Sequence, residues 1–283
     1  MKYRSSQVGQ VVLITLLVLT IATTVALSLI SRTTTDTTIT AQVEESSRAF
    51  SAAEAGIEEA LKSGVGTNGP QVLTPGVSYA VSVASIGNAT GIYEFPKKTA
   101  KGTTETLWLV GHDAVTGAIN EADPARYKAS TIDVCWSSET TIPALVVTLL
   151  YKESSDGSYN VVKAAYDTDT SRNPANAFTQ TYFPDGCGNG TSYREIINFN
   201  SLNASIDPNV DTLIALRIRP LYSDTKISIN TEASAILPLQ GNRIESTGST
   251  TTGTNRKIVV YQQYRAPSTV FDAALYSQGT ISQ

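Results

Sequence analysis

Residues 11–62 read VVLITLLVLTIATTVALSLISRTTTDTTITAQVEESSRAFSAAEAGIEEALK, and this stretch decides the fold. Val11–Ile30 carries no charge, no Pro occurs before Pro70, and the first clustered glycines are Gly64, Gly66 and Gly69. The pattern predicts one long helix over 10–63, membrane-embedded in its first half and amphipathic in its second. About twenty residues at ~1.5 Å each match the hydrocarbon thickness of a bilayer. Val11, Leu13, Leu16, Leu19, Val25, Leu29 and Ile30 are its main apolar residues. Thr15, Thr20, Thr23, Thr24 and Ser28 are tolerable in lipid, because a helical hydroxyl bonds a carbonyl of its own helix.

Outward from the span, Lys2 and Arg4 lie in a leader of nine residues, which favours a cytoplasmic N-terminus and places the bulk of the chain outside. Towards the C-terminus, Ile39, Val43, Phe50, Ile57 and Leu61 recur at spacings of four and seven, with Ala53 on the same side. They form the expected packing stripe of the second half. Glu44–Arg48 and Glu58–Lys62 are spaced as favourable helical pairs, and Glu54 reads as a solvated carboxylate or a pairing group for a neighbouring subunit. The β-branched run 33–40 is the weak point, where a kink or melted turn is expected. A cleavable secretory signal fits poorly, since its apolar core is shorter and does not flow into a second helical face. A plain one-pass anchor fits the span alone.

A short basic leader ending in Gly9, an apolar helix and an amphipathic continuation resemble a type IV pilin. The stretch RAFSAAEAGIEEAL over 48–61 resembles the signature of PilX-type minor pilins. The resemblance covers about the first sixty residues. It implies cleavage between Gly9 and Gln10 by a prepilin peptidase, methylation of the new N-terminus and assembly into a pilus or related filament. The family's usual Phe or Met after the cleaved bond is Gln10 here, and its Glu five positions along is Ile14. The missing Glu implies a tip or initiating place, since in major pilins that Glu pairs with a neighbour's terminal amine. The implied partners are other pilin-like subunits, the peptidase and the membrane, with a surface or DNA ligand for the outer domain.

Roughly 220 residues follow the helix, enough for one large or two small domains. Charged residues are 16% of the chain and the net charge is -4, so no basic field for nucleic acid exists. Residues 64–76 read as a hinge. From Val77 the pattern alternates with period two, and short strands follow to the C-terminus: 77–86, 91–96, 103–110, 130–136, 144–151, 159–166, 178–183, 191–199, 212–219, 226–230, 233–237, 256–264 and 270–276. Residues 144–166 read as a hairpin about Asp156-Gly157. The expected fold class is α+β: a long N-terminal helix followed by an antiparallel β-sandwich over 77–283.

No residues assemble a catalytic set. His112 is the single histidine and reads as a solvated loop residue. Phosphate-loop, dinucleotide and nucleophile-elbow patterns are absent, so an exported hydrolase has no residues to stand on, and no cofactor is expected. Asp167, Asp169 and Ser171 resemble the first half of a calcium loop, but the turn glycine and the closing Glu are missing; a polar turn is the plainer reading. Cys135 and Cys187 are the two cysteines, and outside the cell they could bridge a strand to a Gly-rich loop or remain free. Two functional readings stand side by side. One is a minor pilin-like or pseudopilin-like structural subunit; the other is a permanently anchored surface module for adhesion or carbohydrate binding.

Overall fold

A computed structural model describes residues 8–113, 116–181, 185–202, 206–232 and 235–272. Helix α1 (Val8–Ser63) runs unbroken for 56 residues. The expected weak point holds as regular helix. Thr33, Thr34, Thr35, Thr37, Thr38 and Thr40 each return their hydroxyl to a carbonyl three or four residues back, at 2.8–3.1 Å. Gly64, at φ +75°, ends the helix, its N–H still reaching the Ala60 carbonyl at 2.8 Å.

Among the described residues the strands that follow are β1 (Gln71–Thr74), β2 (Val77–Ile86), β3 (Ile92–Glu94), β4 (Glu105–Trp108), β5 (Gly111–His112), β6 (Ile119–Asn120), β7 (Thr131–Trp136), β8 (Ala144–Lys152), β9 (Tyr159–Asp167), β10 (Thr179–Gln180), β11 (Tyr193–Asn198), β12 (Thr212–Leu221), β13 (Ile227–Thr231), β14 (Gly241–Thr250) and β15 (Asn255–Gln263). The fold is therefore α+β with a sandwich-like β region, as the sequence predicts. Within the expected hinge, β1 is already a strand, turned onto β2 around Gly76 at φ +81°.

The chain divides into two compact units, where the sequence reading has one domain over 77–283. The first comprises the chain to Val83 together with Ile244–Val260. Its sheet has the order β1-β2-β14-β15. A late segment of sequence thus returns to the unit that holds the helix. The physical reason lies in β14, which buries Ile244, Ser246 and Thr250, together with Gly248, along one face. That face is small enough to admit a helix at close range.

The second unit comprises Ala84–Arg243 and the chain from Tyr261. It holds a five-stranded sheet, β10-β9-β8-β12-β4, and a four-stranded sheet, β11-β7-β13-β3. Their inner faces share one core, with Leu145, Leu149, Leu216 and Ile218 from one sheet and Ile132, Val134, Trp136, Ile197 and Ile229 from the other. Alternation along β7 and β8 puts these residues inside, as period-two patterning requires. The β8–β9 hairpin pairs Lys152 with Tyr159 around Gly157, at φ +73°. Of the remaining expected strands, 270–276 lies mostly outside the described residues, and Thr269–Asp272 is a 3-10 turn. The expected strands 178–183 and 233–237 fall partly outside them too.

Candidate assembly surface on the long helix

The first half of α1 touches no other element. Every residue from Gln10 to Ile30 is exposed, including Val11, Leu13, Leu16, Leu19, Val25, Leu29 and Ile30. Thr15, Thr20, Thr23 and Thr24 bond carbonyls of their own helix at 2.8–3.1 Å, so these four hydroxyls are satisfied within the helix. It is one helix long and apolar enough to cross a membrane. Gly9 lies in the first turn of α1, next to Gln10. The leader residues 1–7, with Lys2 and Arg4, lie outside the described residues.

The second half docks on the β1-β2-β14-β15 sheet through a face of mostly small residues. Ala49, Ala52, Ala53, Gly56, Ile57 and Ala60 are buried. Of the expected stripe only Ala53 and Ile57 belong to this face. Ile39, Val43, Phe50 and Leu61 are 52%, 64%, 47% and 45% exposed. The reason is distance. A Cβ on Gly56 would lie 2.7 Å from a methyl of Val81 and 2.8 Å from the Tyr79 ring, and one on Gly248 would lie 2.6 Å from the Ala53 nitrogen. Backbones this close exclude Phe or Leu from the seam, so alanines and a glycine fill it. Ile57 and Ala60 close the apolar contact against Val81 and Ile244.

Polar clasps edge the seam. Thr252 Oγ1 donates to Glu45 Oε2 at 2.8 Å, Arg256 Nε donates to Ser46 Oγ at 2.8 Å, and Arg48 pairs with Glu45 at 3.0 Å. The bonds from Thr252 and Thr250, then the charge of Arg48, hold the Glu45 carboxyl below its ordinary value. The Tyr79 hydroxyl donates to Glu59, and that bond raises the phenol's pKa. Glu54 is exposed. The outcome is a helix with two apolar faces. Its small face is used within the chain, and its bulky face, Ile39, Val43, Phe50 and Leu61, is exposed.

In the second unit, Cys135 of β7 is joined to Cys187 by a disulfide, with Cα atoms 5.8 Å apart. It fixes the Gly-rich loop to the four-stranded sheet across 52 residues of sequence. Such bridges typically stabilise by about 2–4 kcal/mol. The calcium candidate has another geometry. Arg172 sits among its carboxylates, bonding Asp167 through Nε at 2.8 Å and through Nη2 at 2.6 Å, and pairing with Asp169 at 3.1 Å. Asn176 takes a further Asp167 lone pair at 2.7 Å, and Ser171 donates to Asp169 at 2.6 Å. The ligand set of a calcium loop is thus committed to a guanidinium, and a cation would have to displace it. The bonds from Ser171, helped by the Arg172 charge and opposed by burial, hold the Asp169 carboxyl below its ordinary value.

His112 differs from the solvated loop residue expected. Its ring stacks on Tyr264 at 3.9 Å and meets Trp108 edge-on at 4.7 Å. Burial lowers its pKa below 6.5. Trp136 is in the core, its indole N–H bonded to the Pro143 carbonyl at 3.1 Å. Among the described residues no group of three or more His, Cys, Asp or Glu side chains could hold a metal. In comparisons with known proteins, no family model and no curated protein matches the chain.

Proposed function

We propose that this chain is a minor pilin-like structural subunit, assembled through α1 into a type IV pilus or related filament at a tip or initiating position. The observation that carries the reading is the two-faced helix. Among the described residues its span and its bulky outer stripe are exposed, while its small face is buried. A plain anchor accounts for Val11–Ile30 in lipid. It leaves Ile39, Val43, Phe50 and Leu61, beyond the span, in water. Apolar burial stabilises by ~25 cal/mol per Å² removed from water, so a neighbouring subunit at that stripe has a clear driving force. Within the bilayer the driving force is packing, because lipid tails are as apolar as leucine; Thr and Ala along the span permit close helix contacts.

In this reading Lys2 and Arg4 hold the N-terminus in the cytoplasm. Prepilin peptidase cuts after Gly9, and Gln10 becomes the methylated terminus. The subunit leaves the inner membrane for a surface filament, and its β units face outward towards other minor pilins or a surface or DNA ligand. Removing the leader matters physically, since its two cations would otherwise be drawn into an apolar bundle. Substituting Gly9 with Leu should leave the chain in the membrane and abolish its incorporation. Sheared filaments that hold as much of the Gly9→Leu chain as of the wild type would overturn the reading.

A further inference from the structure

On the outer face of the five-stranded sheet, the chain after β15 crosses the strands and is held by Arg217, which is only 7% exposed. The guanidinium grips Asp272 with two bonds, at 2.6 and 2.9 Å, and also donates to the carbonyls of Pro267 at 2.9 Å and Ser268 at 3.2 Å. Thr104 Oγ1 donates to the same carboxylate at 2.6 Å, and Lys163 Nζ donates to the Asp272 carbonyl at 2.8 Å. A segment that ends in the 3-10 turn Thr269–Asp272 is therefore already recognised here, by its backbone and its carboxylate together.

Beside this clasp lies a cavity of about 170 Å³, lined by Val146, Thr148, Lys163, Arg217, Arg219 and Leu221 among others. Arg219 follows Arg217 on the same face of β12, two residues along. Arg217 is saturated by the strap. Arg219 Nε, in contrast, is buried and finds no hydrogen-bond partner among the described residues. A buried unsatisfied guanidinium nitrogen is costly, and its retention calls for an acceptor. The lining brings three cations, Lys163, Arg217 and Arg219, to one carboxylate, Asp272, in a chain of net charge -4. The cavity is too small for a whole ligand, for which a few hundred Å³ is usual, but it suits one acidic side chain. Val146 and Leu221 supply apolar contact for its methylenes, and the Thr148 hydroxyl supplies a further donor.

We propose that the Arg219 cavity is a carboxylate-binding subsite that receives a Glu or Asp side chain of a partner protein, beside the Asp272 clasp. The site lies wholly within the sandwich unit and does not depend on how the helix is used.

The test uses the full chain in detergent micelles, labelled with 15N-arginine, and the blocked peptide acetyl-Gly-Ser-Glu-Ser-Gly-amide. Its Gln counterpart is the control. The Glu peptide should move the Arg219 Nε–Hε signal to saturation with a Kd of about 1 mM, the range of a single charge-assisted contact. Arg219→Gln should weaken binding about tenfold or more, read on the Arg217 signal, while Lys128→Gln on the exposed surface leaves it unchanged. The wild-type titration stands whether or not the Arg219→Gln variant folds. An unmoved Arg219 signal at about ten times that concentration would mean that the cavity holds only water, and would overturn the proposal. Equal binding of the Gln peptide, or undiminished binding by a folded Arg219→Gln variant, would overturn it equally.

Discussion

The two halves of α1 obey opposite rules. Among the described residues, 10–43 are exposed all round, bulky aliphatic side chains included. Residues 49–60 are docked, and they dock through Ala49, Ala52, Ala53, Gly56, Ile57 and Ala60 rather than through the bulky residues beside them. Hydrophobicity and burial therefore separate along one helix. Close backbone approach selects small residues for the internal seam, and the larger apolar residues are left for an environment outside the chain. The contrast gives the helix an exposed apolar end, long enough to cross a membrane, and a docked structural end; the proposed assembly draws on the first.

The largest expected effect lies in the seam. Gly248→Val puts side-chain atoms against the Ala49 carbonyl and the Ala53 nitrogen. It should destabilise the helix-bearing unit by about 3 kcal/mol, measured by denaturant unfolding of the micelle-bound chain. Wild-type stability in that variant would break the comparison at its structural end. Next comes a paired test of the two faces. Ile57→Ala, at an 8% exposed position, should cost about 2 kcal/mol, whereas Phe50→Ala, 47% exposed, should change monomer stability by less than about 0.5 kcal/mol. Phe50→Ala should instead lower recovery in sheared filaments. Equal destabilisation by both would erase the distinction between faces.

The smallest effect is electrostatic. The Glu45 carboxyl is held below its ordinary 4.5 by Thr252 and Thr250, so its contribution is present in full above that value and is lost as pH falls through its lower folded value. Protection factors for hydrogen exchange at residues 250–252, with the intrinsic pH dependence of exchange divided out, should fall on acidification in the wild type, and Glu45→Gln should flatten that dependence.

Much of this organisation was legible in the sequence, because hydropathy reports it directly. Val11–Ile30 and the uninterrupted run to Lys62 specify a helix, and Val77–Ile86, 144–151 and 159–166 specify strands by alternation. The docked face was not legible. Ala49, Ala52, Gly56 and Ala60 carry little hydropathic weight, so Phe50 and Leu61 dominate any periodicity count while facing away from the sheet. β14 was missed for the same reason. Its buried positions include Ser246, Gly248 and Thr250, which read as a polar tail until the helix is laid across them. The spacing of alanines and Gly56 at three and four residues was the available signal for the seam. At 167–172 the residue types suggested a cation, but Arg172 five positions after Asp167 supplies the positive charge from the chain itself. His112 needed Tyr264, 152 residues away, to be placed at all.

Processing of α1 for assembly, as proposed above, separates from permanent anchoring in the intact mass of the chain recovered from sheared surface filaments and from the native membrane. A processed subunit gives a filament-borne chain that begins at Gln10, with or without one methyl group. A chain retaining Met1–Gly9 in every fraction, and absent from filaments, would contradict it.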